Sequence, residues 1–103
     1  MELSPNTPTM AKAIWNGIVV AESNQVLNLG GKKYFPHPSV KSNYFVESER
    51  HSVCPINGKA NYYHLEVEGK RRENAAHYFP NPNPKVKSIQ NFIGFDDDVE
   101  IRE

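Results

Sequence analysis

The most constraining stretch of the chain is Ala13-Ile14-Trp15-Asn16-Gly17-Ile18-Val19-Val20. Two apolar, β-rich runs flank an Asn-Gly pair. A type I′ turn needs positive φ at both of its central residues, and Asn-Gly supplies that more readily than other dipeptides. The stretch therefore predicts a tight antiparallel hairpin. A second hairpin is predicted over 26–35, where Gly30-Gly31 separates Val26-Leu27-Asn28-Leu29 from Lys32-Lys33-Tyr34-Phe35. Pro36 and Pro38 end that strand. Ser39 then has the chemistry to cap a short helical turn, with Val40 and Tyr44 meeting at i, i+4.

Further along, 45–51 reads as a weak extended segment and 59–68 as the clearest long strand. In the latter, period-two alternation puts Tyr63, Leu65 and Val67 on a core face and Ala60, Tyr62, His64, Glu66 and Glu68 on the other. Gly69 marks a turn. Residues 75–79 form another strand, stopped by Pro80, and Asn81-Pro82-Asn83-Pro84 is a rigid connector. Val86 and Ile89 stand at helical spacing. Phe92 to Phe95 and Val99 to Ile101 suggest a closing hairpin around Asp96-Asp97-Asp98. Short strands with frequent turns predict an all-β fold of barrel or sandwich type, with one or two short helical turns. Residues 1–9, polar and holding two prolines, read as a flexible N-terminal arm, and 10–103 as a single β domain.

Composition narrows the function classes. Twelve basic residues balance twelve acidic ones, so no long-range field draws the chain to nucleic acid or an anionic membrane. No apolar run reaches membrane-spanning length. The single cysteine, Cys54, allows no internal disulfide and no cysteine-rich zinc site, which suits a reducing, cytoplasmic setting.

The most distinctive stretch is 50–63, where His51, Cys54, Pro55 and Gly58 precede Tyr62 and Tyr63. Together with Ala13-Ile14-Trp15-Asn16-Gly17, Val20-Ala21-Glu22-Ser23, Tyr34-Phe35-Pro36 and Tyr78-Phe79-Pro80 followed by Pro82, it resembles the family known as domain of unknown function 427, also labelled nucleotidyltransferase-like. The resemblance runs from Ala11 to Glu103. It implies a compact β domain similar to the β-tent folds, which include methionine sulfoxide reductase B, and it implies no settled activity. The chain departs from the family at Ile56, Asn57 and His77, where members often carry a large aromatic, a lysine and a tryptophan. The Gly-Ser motif with spaced acidic residues that a nucleotidyltransferase uses to hold magnesium is not present.

Two chemistries compete for this chain. Aromatic side chains come as adjacent pairs, and neighbours on a strand point to opposite faces. One member of each pair then fills the core and the other is left for a cleft, which leads to a small polar organic ligand held near Trp15, Tyr34, Tyr62, His64 and Tyr78. The alternative is a thiol- or acid/base-dependent enzyme built on Cys54, His51 and Glu22, the thiolate being favoured by nearby positive charge. A third reading is an oligomerising or partner-binding module that presents an exposed strand edge. His51, His64 and His77 are each thirteen residues apart and fit no compact ligand motif, so no metal or other cofactor is expected. The run Asp96-Asp97-Asp98 lacks the alternating oxygens of a calcium loop and reads as a solvated turn.

Overall fold

A computed structural model describes residues 10–103 as nine strands in two antiparallel sheets, with short 3-10 turns as the only helical elements among the described residues. The expected arm at 1–9 lies outside them. Strands β1 (Ala11–Trp15) and β2 (Ile18–Ser23) form the first hairpin, with Trp15 opposite Ile18. Its turn residues Asn16 and Gly17 have φ of 52° and 75°, both positive as the sequence requires. Strands β3 (Leu27–Leu29) and β4 (Lys32–Pro36) form the second hairpin around Gly30-Gly31.

After Pro36 the chain departs from expectation. Ser39 caps nothing. Its hydroxyl donates to the carbonyl of Pro36 at 2.6 Å and closes a 3-10 turn over His37–Ser39. Val40 bridges Ala21 instead of meeting Tyr44, and the Lys41 amide donates to the Val20 carbonyl at 2.8 Å. Pairing with β2 thus takes the backbone groups that a continuing helix would have used, and a second 3-10 turn, Ser42–Tyr44, follows separately.

Three long strands come next: β5 (Phe45–Cys54), β6 (Gly58–Val67) and β7 (Lys70–Tyr78). The weak segment expected at 45–51 is a ten-residue strand, because β6 pairs along both its halves across an irregularity between Glu47 and His51. The outer edge of β5 is unpaired among the described residues. A 3-10 segment, Pro84–Ile89, leads to β8 (Phe92–Phe95), and β9 (Glu100–Arg102) ends the chain's regular structure.

The expected closing hairpin does not form. Strand β8 has both edges occupied, by β4 and β7, so β9 has nowhere to pair beside it and joins β1 in the other sheet. The sheets are β2-β1-β9 and β3-β4-β8-β7-β6-β5. Residues 96–98 are the corner between them. Arg72 holds this corner, reaching Asp96 and Asp98 at 2.7 Å each, which offsets the repulsion of neighbouring carboxylates.

The main core lies between the sheets. Ala11, Ala13 and Val20 of the small sheet meet Phe35, Leu65 and Ile93 of the large one, all 0% exposed. Small alanines on one side leave room for the edge-to-face pair Phe35–Phe95, whose centroids are 5.7 Å apart. Each large apolar side chain buried here contributes roughly 1.5–3 kcal/mol. As expected, Leu65 and Val67 are core residues. The opposite face of β6 is not simply polar, however: Ala60 is 3% exposed within a second apolar cluster with Tyr34, Phe79 and Ile89, roofed by the 3-10 segment. Among the described residues, no helix is long and apolar enough to cross a membrane.

Candidate functional site

The six-stranded sheet sorts the aromatic pairs as period two demands. Phe35, Tyr63 and Tyr78 pack with the main core on the inner face, whereas Tyr34, Tyr62 and Phe79 pack with the second cluster on the outer face. Each face therefore has its own group of tyrosines.

On the inner face, Tyr63 stacks on Tyr78 with centroids 4.9 Å apart and planes 24° from parallel. Their strands place them diagonally: Tyr63 is opposite Ala76, and Tyr78 is opposite Asn61. The Tyr63 hydroxyl is 3.2 Å from Nε2 of His37, which the Pro36–Pro38 bend delivers from the end of β4. The Tyr78 hydroxyl donates to Glu47 at 2.6 Å. His51 reaches the Asn61 side chain at 2.7 Å on the same face. Beside Tyr63 a cleft of about 260 Å³ opens, walled by His37, Pro38, Val40, Ser42 and Phe45. Burial, then the hydrogen bond to Glu47, pushes the Tyr78 phenol well above the usual tyrosine range. Tyr63 is raised by burial and by the charge of Glu47.

On the outer face, the Tyr34 hydroxyl is 2.9 Å from Nε2 of His77, and Ser52 is 2.8 Å from the Tyr62 hydroxyl. Arg50 lies over the Tyr62 ring, 5.2 Å from its centroid. Cys54 accepts a hydrogen bond from the Asn57 amide at 3.4 Å and borders a recess of about 270 Å³ with Leu29, Tyr34 and Asn57. Burial, aided by the positive charge of Lys32, lowers the His77 pKa to about 4, so the imidazole is neutral at pH 7. Tyr34 is raised, chiefly by burial.

The sequence-predicted residues divide between these places. Tyr34, Tyr62 and Cys54 gather on the outer face. Tyr78 is on the inner face, near His51. Trp15 sits at the margin of the main core, in the small sheet. His64 is held by the Asn74 amide at 3.0 Å, and Glu22 faces Lys12 at 4.0 Å on β2. The grouping of Cys54, His51 and Glu22 is not assembled. An odd separation along one strand turns residues 51 and 54 to opposite faces, and Glu22 belongs to the other sheet. Among the described residues no three His, Cys, Asp or Glu side chains converge as metal ligands.

Three inner-face participants, His37, Glu47 and Tyr63, were not among the expected site residues. Glu47 and Tyr63 are cross-strand partners in the β5–β6 pairing. A sequence signal for that partnership existed only if 45–54 had been recognised as one continuous strand. His37 carried a weaker signal, since an imidazole between two prolines is held in place by a stiff backbone.

The family model described as domain of unknown function (DUF427) matches residues 4–103, and the chain belongs to that family. No curated protein matches it.

Proposed function

We propose that this member of the family binds a small polar organic molecule in the inner-face cleft beside Tyr63. The observation that carries this reading is the cleft walled by His37, Ser42, Phe45 and Tyr63, where the Tyr63 ring is braced by stacking on Tyr78 and its hydroxyl meets the His37 imidazole. Apolar walls with a few convergent polar groups are what small-molecule sites share. Phe45 and Val40 supply the walls, while His37, Ser42 and the tyrosine hydroxyl supply donors and acceptors. At about 260 Å³ the cleft suits a ligand smaller than most drugs. The wider groove lined by Lys32 and Lys33 is weaker, because those lysines pair with Asp97 at 3.2 Å and Glu103 at 2.7 Å. The lone thiol accords with a reducing, cytoplasmic location, which we propose alongside.

Screening the full chain against a library of polar heteroaromatic fragments by two-dimensional NMR tests the proposal. Binders are expected to shift the resonances of His37, Phe45 and Tyr63 together. Binders that shift only outer-face resonances such as Tyr34 and Asn57, or a library that shifts neither set, would overturn it.

A further inference from the structure

We propose that β5 pairs antiparallel with β5 of a second copy of this chain, joining two six-stranded sheets edge to edge about a twofold axis. The proposal does not depend on the cleft being a binding site.

The first observation is the length of the open edge. Strands β3 and β9 offer edges of three residues each, and the edge of β2 is met by Val40 and Lys41. Among the described residues β5 is the exception, ten residues long with no strand on its outer side. Proteins normally shorten or cover such edges, because their free backbone groups invite another strand. Val53 on this strand is 78% exposed, and Ile56 just beyond its end is 73% exposed. A β-branched side chain at an open edge gains from a cross-strand neighbour.

The second observation is the order of charge, which says which strand fits. Glu47 and Glu49 lie in the first half of β5, and Arg50 and His51 in the second. All four are exposed, and among the described residues none of them forms an ion pair within the chain. An antiparallel copy sets the acidic half of each strand against the basic half of the other, whereas a parallel copy sets like against like. The β5–β6 ladder gives the register. Glu47 and His51 are opposite Tyr63 and Asn61, which are two residues apart on β6, so 48–50 occupy a single step of the ladder. With that step on the twofold axis, Glu47 of each copy faces His51 of the other, and Phe45 faces Val53. The irregularity disfavours a straight strand of other sequence, and a second copy brings the matching irregularity to the same place. Glu47 and Arg50 keep their contacts with Tyr78 and Tyr62, because those lie over the sheet faces and pairing uses the edge.

Sedimentation of the full chain at low salt, from micromolar to millimolar concentration, tests this. A reversible monomer–dimer equilibrium is expected, weakened by added salt. Val53→Lys and Glu49→Arg each alter an exposed side chain and should weaken association about tenfold or more, with two-dimensional NMR showing the monomer fold kept. Adding Arg50→Glu to Glu49→Arg reverses the charge order and should restore the dimer. A monomer at every concentration overturns the proposal. So does a dimer indifferent to both single substitutions, which would place the interface elsewhere, or a double exchange that restores nothing.

Discussion

Tyr34 and His77 hydrogen-bond at 2.9 Å although their strands never pair. Strand β8 runs between them, and its Gly94 is opposite Tyr34 on one side and His77 on the other. The two side chains meet above a residue that has none. A Cβ at position 94 would lie 2.7 Å from the Tyr34 ring and 2.9 Å from the imidazole, closer than such contacts occur. Glycine is required here by close approach and not by backbone angle.

Gly94→Ala should therefore destabilise the fold by about 1–3 kcal/mol, the usual cost of overpacking a filled interior. Tyr34 is 3% exposed, so its ring is held by neighbours on most sides. Urea unfolding measures the loss. A variant as stable as the wild type would mean that the ring and imidazole separate freely.

His77 makes stability depend on pH in a defined direction. Its pKa falls from an ordinary 6.5 to about 4 on folding. Below pH 6.5 the unfolded chain takes up a proton that the folded chain refuses. The stability this group contributes is complete above that pH and is lost as pH falls toward 4. The loss has an upper bound of about 3 kcal/mol. His77→Gln keeps a polar partner for Tyr34 and cannot titrate there. Chemical denaturation of both proteins across this window should show the wild-type advantage shrinking as acid is added; parallel curves would refute the assignment.

Tyr78 acts at the other end of the pH scale. Burial and Glu47 hold its phenol protonated above its normal range. The stability linked to it is present below about pH 10, the ordinary tyrosine value, and is lost as pH rises beyond that. Alkaline titration followed by phenolate absorbance should show a component that ionises late. Tyr78→Phe should remove it, and Glu47→Gln should move it downward. A late component of equal size in Tyr78→Phe would assign it elsewhere.

Asn16 has two duties that substitutions can separate. It sits at positive φ in the first turn, and its side-chain amide donates to the Val67 carbonyl at 3.0 Å, tying the small sheet to the large one. Asn16→Gly retains the turn and should lose about 1 kcal/mol with the hydrogen bond. Asn16→Ala loses both and should be less stable than Asn16→Gly. Thermal or urea unfolding gives the order, and the reverse order would mean that the turn does not demand the left-handed conformation.

Local chemistry explains which parts of this architecture were legible in the sequence. Asn16-Gly17 and Gly30-Gly31 specify turns through backbone angles alone, and both hairpins follow. The alternation of 59–68 places Leu65 and Val67 in the core because one buried face suffices to make a pattern. The fate of β9 was not legible. Whether Glu100–Arg102 returns to β8 or crosses to β1 depends on which strand edges are already occupied, and occupancy is a property of the whole sheet. The site divided for a similar reason. Adjacent aromatics such as Tyr62 and Tyr63 announce that two faces exist, but not which face also receives His37 and Glu47. Cys54, His51 and Glu22 looked like one grouping because two of them are near in sequence, and strand alternation is what separates those two.

The partnership of β1 with β9 has a consequence for biosynthesis. Lys12 faces Arg102, so the first strand described and the last are neighbours although nearly all of the described residues separate them. A nascent polypeptide cannot close its small sheet until β9 has left the ribosome. Until then, the side of β1 that awaits β9 stays open to other chains, and contacts so distant in sequence form slowly. Deleting only the closing three-residue strand should thus harm folding yield far more than its length suggests.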